Sequence, residues 1–192
     1  GNNNAMIRSG VSSDIDLVNQ YFMHHGMDDV GQFLKNMAAK ESNVGTDKMG
    51  DYSYSPFQID AIKYLDIQQD AENPKGNAAK RAQLANTFLR QQLGDPNFDI
   101  LNMFEGESTE EGIRYIPNER LREHSPLIGA TLARLGLGNI PTEKDDQGNP
   151  IRISDMSLEQ QGDYWKRHWN TLSGKGTADE FVKAAQYHFP NN

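Results

Sequence analysis

The chain has 192 residues, 19 basic against 27 acidic, for a net charge of −8, and it contains no cysteine. No basic run is available to grip a phosphate backbone or an anionic membrane, and disulfides, thiolate nucleophiles and Cys-based zinc sites are excluded. No apolar run approaches the roughly 20 residues that span a bilayer, and no export signal is visible.

Hydrophobic residues make up only 36%, but they cluster, which predicts a folded domain with a polar surface. The opening GNNNAM reads as a vector-derived extension, so residues 1–6 are set aside and residues 7–192 are taken as one domain. Ser13 can cap a helix over about 14–23 that carries Ile15, Leu17, Val18, Tyr21 and Phe22 and breaks at Gly26. Asp28 and Asp29 suit the positive end of a second helix. Its apolar stripe is Val30, Phe33, Leu34, Met37 and Ala38, at i, i+3, i+4, i+7 and i+8, while Lys35, Asn36 and Lys40 fall elsewhere.

Residues 43–60, NVGTDKMGDYSYSPFQID, predict a loop and a short β-hairpin or pair of extended segments, with Pro56 near an edge. Helical patterning resumes around 61–65, and a helix over 77–93 is ended by Gly94. Residues 95–124 show no clear period beyond an apolar piece at 98–104. Ser125-Pro126 opens a core helix through Leu135, and residues 141–150 read as a polar loop. Ser157-Leu158-Glu159-Gln160 and Thr177-Ala178-Asp179-Glu180 are capping boxes for the last two helices. The fold class is α+β, predominantly α-helical, with a small β region after the second helix.

Glu41 stands at i+11 of the second helix's stripe. On an apolar face, desolvation penalises the charged carboxylate, and a helix C-terminus disfavours negative charge. A carboxyl that keeps its proton near neutral pH can protonate a leaving oxygen. The plainer alternative is a glutamate at a frayed helix end. Gly45, Gly50, Asp51, Gln58 and Asp60 follow at short range. The glycines allow close backbone approach, Gln58 offers a donor and an acceptor, and Asp51 and Asp60 offer carboxylates for a water opposite Glu41. One acid and one base across a glycosidic bond is the inverting-glycosidase arrangement.

Glu41-Ser42-x-x-Gly45, then Gly50-Asp51, then Phe57-Gln58-x-Asp60, resembles the signature of goose-type lysozymes and soluble lytic transglycosylases. The resemblance implies a lysozyme-like fold, Glu41 as general acid, Ser42 and Gln58 lining the site, and Asp51 and Asp60 positioning the attacking water. Downstream, His168-Trp169-Asn170-Thr171 is similar in kind to the family's A-Y-N-x-G helix end, with Trp169 where tyrosine is usual. The tyrosine that often steadies the acid corresponds to Trp169 or Tyr164. Ser55-Pro56-Phe57-Gln58 stands where the family has Gly-Leu-Met-Gln. Residues 164–177 also resemble segments of phage virion-associated muramidases.

Tyr52, Tyr54, Phe57, Trp165 and Trp169 could each stack on a sugar ring or fill the core, and Tyr52 and Tyr54 are the first candidates for sugar platforms because their segment is otherwise polar. The adjacent pair His24-His25 is poorly spaced for metal on a helix, and no metal site is expected. Gly174-Lys175-Gly176 lacks the strand and glycine spacing of a phosphate loop.

The expectation is a peptidoglycan-cleaving glycosidase acting on the MurNAc-β-1,4-GlcNAc bond, as a hydrolase or a lytic transglycosylase. Its catalytic residues are Glu41, Asp51 and Asp60. Its substrate-binding residues are Ser42, Gln58, Tyr52, Tyr54, Trp169 and Asn170. No cofactor is needed. The expected partners are glycan strands and other virion proteins, without nucleic acid or membrane insertion, in a bacterial envelope or a phage virion. The alternatives are a non-catalytic glycan-binding or virion structural module, and a chitinase- or chitosanase-like glycanase.

Overall fold

A computed structural model describes residues 2–48, 53–73, 75–138, 142–170 and 176–191. Among these are eight α-helices and three two-stranded antiparallel sheets, an α+β protein dominated by helix. The chain divides into two compact units, Gly1–Lys48 with Ile140–Asn192, and Met49–Asn139.

The first unit begins with α1 (Asn2–His24), which includes residues 2–6. Val11, Ile15, Val18 and Phe22 recur at helical spacing and are buried, whereas Leu17 is turned outward. Gly26, at φ +84°, closes the turn into α2 (Gly31–Ser42). Asp29 Oδ1 accepts the Gly31 N–H at 3.0 Å, and the buried Asn19 accepts the Val30 N–H at 2.9 Å, so two orphan donors at the start of α2 are satisfied by side chains.

α2 packs chiefly on α8 (Ala178–His188), and α8 on α7 (Leu158–His168). Phe33 meets Tyr164 and Phe181, Phe181 meets Trp165, and Leu34 and Met37 are buried on the same stripe of α2. Asn36 corrects the sequence reading. It is fully buried, and its Nδ2 donates to Gln161 Oε1 at 2.8 Å, which removes the cost of an unpartnered amide. The box at Ser157 forms with both reciprocal bonds, at 3.1 and 2.8 Å. At Thr177 the side chain accepts the Glu180 N–H at 3.1 Å. Residues 141–150, read as a loop, include a strand, Glu143–Lys144, which pairs with Pro150–Ile151.

In the second unit, β1 (Ser53–Tyr54) pairs with β2 (Ile59–Asp60), and β2 runs directly into α3 (Ala61–Ala71). α4 (Asn77–Leu93) ends on Gly94 at φ +62° as predicted. The stretch left without a pattern holds the hairpin β3 (Phe104–Thr109) and β4 (Gly112–Pro117), followed by α5 (Glu119–Glu123). Its foot is fixed by Phe104 stacking on Tyr64 at 4.5 Å, and by the Met103 N–H donating to the Tyr64 hydroxyl at 2.9 Å. Burial pushes that phenol up to about 12. α6 (Ser125–Gly138) is mostly apolar and is buried from Ile128 to Leu137, Thr131 and Arg134 included, as the central helix of this unit.

Candidate active site

In the first unit the site is built around the last turn of α2. Glu41 is half-buried there and Ser42 is 1% exposed. The Ser42 hydroxyl donates to the Ala38 carbonyl at 3.1 Å and accepts the Gly45 N–H at 2.8 Å. The Ser42 carbonyl accepts from both Thr46 and Asp47 at 2.9 Å. Expected to touch substrate, Ser42 is instead committed to the turn, so we read it as a positioning residue.

Asn43, Val44 and Gly45 follow with φ of 49°, 57° and 86°. A β-branched residue in the left-handed region costs roughly 1–2 kcal/mol. Val44 stays there because it is buried and its N–H reaches the Ala38 carbonyl at 2.9 Å. The turn is also tied from outside. Arg8 Nε donates to the Asn43 carbonyl at 3.1 Å, and His188 Nε2 lies 3.0 Å from Asn43 Oδ1. Backbone held in sparse conformations by surrounding contacts is what a pre-organised site requires.

The carboxyl of Glu41 is oriented by Trp165, whose indole N–H donates to Oε1 at 3.2 Å. Trp165 has no exposed surface and stacks against Phe181 at 5.5 Å. Lys40 Nζ lies 5.6 Å from the Trp165 ring centroid, a cation–π contact, and 3.9 Å from Glu180. Sequence reasoning offered Tyr164 or Trp169 as the ring beside Glu41, and the side chain bonded to its carboxyl is Trp165. Tyr164 stacks edge-on with Phe33 at 5.7 Å. Trp169 is only 8% exposed, which leaves little ring surface to serve as a sugar platform.

Asn170 donates its backbone N–H to the Trp165 carbonyl at 3.0 Å. Gly176, at φ +82°, lets the chain pass close by. A Cβ there would stand 3.1 Å from Asn170 Nδ2 and 3.3 Å from Trp165 Cη2. Glu41 and Asn170 are thus both joined to Trp165.

In the second unit, Tyr54, Gln58 and Asp60 belong to the β1–β2 hairpin. Ser55 and Gln58 adopt φ of 75° and 52°, two non-glycine residues in the left-handed region within one tight turn. The turn is closed by the Gln58 N–H donating to the Ser55 carbonyl at 3.0 Å. It is anchored by Phe57, which has no exposed surface. Gly129 on α6 admits it, since a Cβ there would stand 2.3 Å from Ser55 Cβ. Gln58 is half-exposed at this strained position. Tyr54 stacks on Phe104 at 5.4 Å, so its ring is partly engaged within the protein. Asp60 is half-exposed and lines a cavity of about 690 Å³ with Ala61 and residues 109–115. Asp51 and Tyr52 lie outside the described residues.

Among the described residues no three His, Asp or Glu side chains converge as a metal site, and no helix is long and apolar enough to cross a membrane. No protein-family model, no curated protein and no solved structure matches the chain.

Proposed function

We propose that the protein is a peptidoglycan-cleaving glycosidase on a lysozyme-like fold, with Glu41 as the general acid. The observation that carries the reading is the last turn of α2. A half-buried carboxyl sits on a helix end pinned by a strained turn, and a buried indole N–H 3.2 Å away fixes its direction. A surface glutamate at a frayed end needs none of these supports.

In this mechanism Glu41 gives its proton to the glycosidic oxygen as the bond to the anomeric carbon breaks. If Asp51 or Asp60 activates a water, that water attacks the anomeric carbon from the opposite face, and hydrolysis proceeds with inversion. If neither does, the 6-hydroxyl of the muramyl residue attacks instead and a 1,6-anhydro sugar forms. The two aspartates favour hydrolysis. Gln58, held at a strained position, is assigned to the N-acetyl and hydroxyl groups of the glycan.

The test is mass spectrometry of purified peptidoglycan after digestion, with Glu41→Gln in parallel. Reducing muramic acid ends that depend on Glu41 identify a hydrolase, and 1,6-anhydro ends a transglycosylase. Absence of any Glu41-dependent product removes the reading and leaves a glycan-binding module.

A further inference from the structure

The hairpin β3–β4 has no counterpart in the sequence resemblance, and little of it is explained by packing. Its foot is anchored through Phe104, but from Glu105 to Arg114 every residue is exposed. A hairpin that rises from the protein without burying itself contributes little to stability. It nevertheless frames the cavity of about 690 Å³ whose other wall is Asp60 and Ala61. That volume lies within the roughly 300–1,000 Å³ typical of small-ligand sites.

We infer that this cavity is a carbohydrate subsite that takes one N-acetylhexosamine unit of the glycan chain, with Tyr115 and Ile113 as its apolar floor. Three observations combine. First, Ile113 and Tyr115 are two apart on one strand and therefore share a face, and Ile113 is 63% exposed. Second, the residue paired with Tyr115 is Gly106. A Cβ at Gly106 would lie 3.3 Å from Ile113 Cγ2 and 3.8 Å from Tyr115 Cε1, so the glycine leaves the flank of both side chains uncovered. Third, the polar lining is mixed, with Asp60, Glu110 and Glu111 as acceptors and Arg114 as donor.

An apolar strip with an aromatic ring, flanked by carboxylates and one guanidinium, matches the chemistry of a sugar. The C–H face of the ring lies on the aromatic, and the hydroxyls donate to carboxylates. A nucleotide or other polyanion would meet three carboxylates against one arginine. A purely apolar ligand would make no use of the four charged groups. The turn itself is rigid, since Thr109 Oγ1 donates to the Gly112 carbonyl at 2.7 Å. The occupant follows from Asp60, because the residue assigned above to the water also lines this cavity. To that extent the inference rests on the proposed function.

The experiment separates the two. Binding of tetra-N-acetylchitotetraose is measured by calorimetry on full-length Glu41→Gln, which binds without cleaving. Into that background go Ile113→Ser and Tyr115→Ala, with far-UV circular dichroism and melting as folding controls. Loss of one ring–sugar stack predicts about a 3- to 10-fold rise in Kd for Tyr115→Ala, and a smaller rise for Ile113→Ser. Ile113 is exposed enough for its variant to fold even if the other does not. Undetectable binding at millimolar tetrasaccharide overturns the subsite, and so does a Kd within twofold of the parent in both variants. Tetrasaccharide binding that depends on Tyr115, in a protein that releases nothing from peptidoglycan, upholds the subsite and refutes the glycosidase.

Discussion

Gly129→Ala followed by Ser55→Gly tests whether the β1–β2 turn is seated as described. A methyl at Gly129 would stand 2.3 Å from Ser55 Cβ and 2.6 Å from Ser55 Oγ. Carbon atoms in ordinary contact are about 3.5–4.0 Å apart, so the overlap exceeds 1 Å. Neither partner can swing away, because both Cβ atoms are fixed to backbone, one in the buried helix α6 and the other in a tight turn. Overpacking of this kind costs roughly 1–3 kcal/mol, and the severity puts it at the upper end. Replacing glycine by alanine inside a helix returns up to about 1 kcal/mol, so the net loss is about 2 kcal/mol.

Ser55→Gly alone should be nearly neutral. It relieves a left-handed serine at φ 75° but gives up the Phe57 N–H to Ser55 Oγ bond of 3.2 Å, two effects of about 1 kcal/mol each. With the Ser55 side chain gone, the next neighbour of the new methyl is Phe57 Cδ2 at 3.5 Å, an ordinary contact. Gly129→Ala in that background should cost nothing or stabilise slightly. Urea unfolding of wild type, both singles and the double variant closes the cycle. A loss below about 0.5 kcal/mol for Gly129→Ala in the wild type, or the same loss in both backgrounds, would refute the packing.

Three further outcomes are expected. Trp165→Phe removes the donor to Glu41 but keeps an aromatic ring, so kcat on peptidoglycan should fall about tenfold with KM nearly unchanged; an equal rise in KM would reassign the residue to binding. Glu143 accepts from Arg167 Nη1 at 2.8 Å and lies 2.8 Å from His168 Nε2, and these partners, Arg167 first, hold its carboxyl below the ordinary range. Its stabilising contribution is therefore present above the ordinary carboxylate range and fades as pH falls through the lowered folded value. Glu143→Gln should narrow the gap between urea midpoints at pH 7 and pH 3, by less than about 1 kcal/mol since Arg167 is 47% exposed, and added salt should shrink it further. His188 is held below its ordinary value, by burial and then by Arg8. The unfolded chain thus takes up a proton first, and stability declines as pH falls below about 6.5 until the folded form titrates too. Wild type should lose more stability than His188→Gln between pH 7.5 and 5.5, and equal losses would count against this account.

Local signals carried much of the fold. Gly94 ended α4 where expected, because a left-handed residue after a helix favours glycine regardless of context. Ser157 formed its capping box for an equally local reason. The β3–β4 hairpin escaped notice because its strands, FEGEST and GIRYIP, are exposed for most of their length. Without a buried face there is no alternation to read, and the tip is Glu110-Glu111 rather than Asn-Gly. Asn36 was misplaced for the opposite reason. Its polarity argues for solvent, and its burial is made tolerable by Gln32 Nε2, which donates to Asn36 Oδ1 at 3.0 Å, and by Gln161, a partner 125 residues away that no local pattern announces.

The same division runs through the site. The place of Glu41 on the last turn of α2 follows from a period inside one helix, and is legible for that reason. What bonds its carboxyl was not legible, since the indole N–H that reaches Oε1 comes from 124 residues further on. Trp165 carries no local mark of this role. Tyr164 and Trp165 on α7 and Trp169 just past its end lie within a turn and a half of one another, and which of them meets the end of α2 is a matter of helix rotation. The buried Gln161 meets Asn36, and Trp165 meets Glu41 five residues along α2 and four along α7, so two side-chain bonds lie at successive levels between the same two helices. An amide pair buried between helices adds little net stability over an apolar pair, but leaving either amide unpartnered would be costly, so an α7 rotated away from this alignment would forfeit the Asn36–Gln161 bond together with the bond from Trp165 to Glu41.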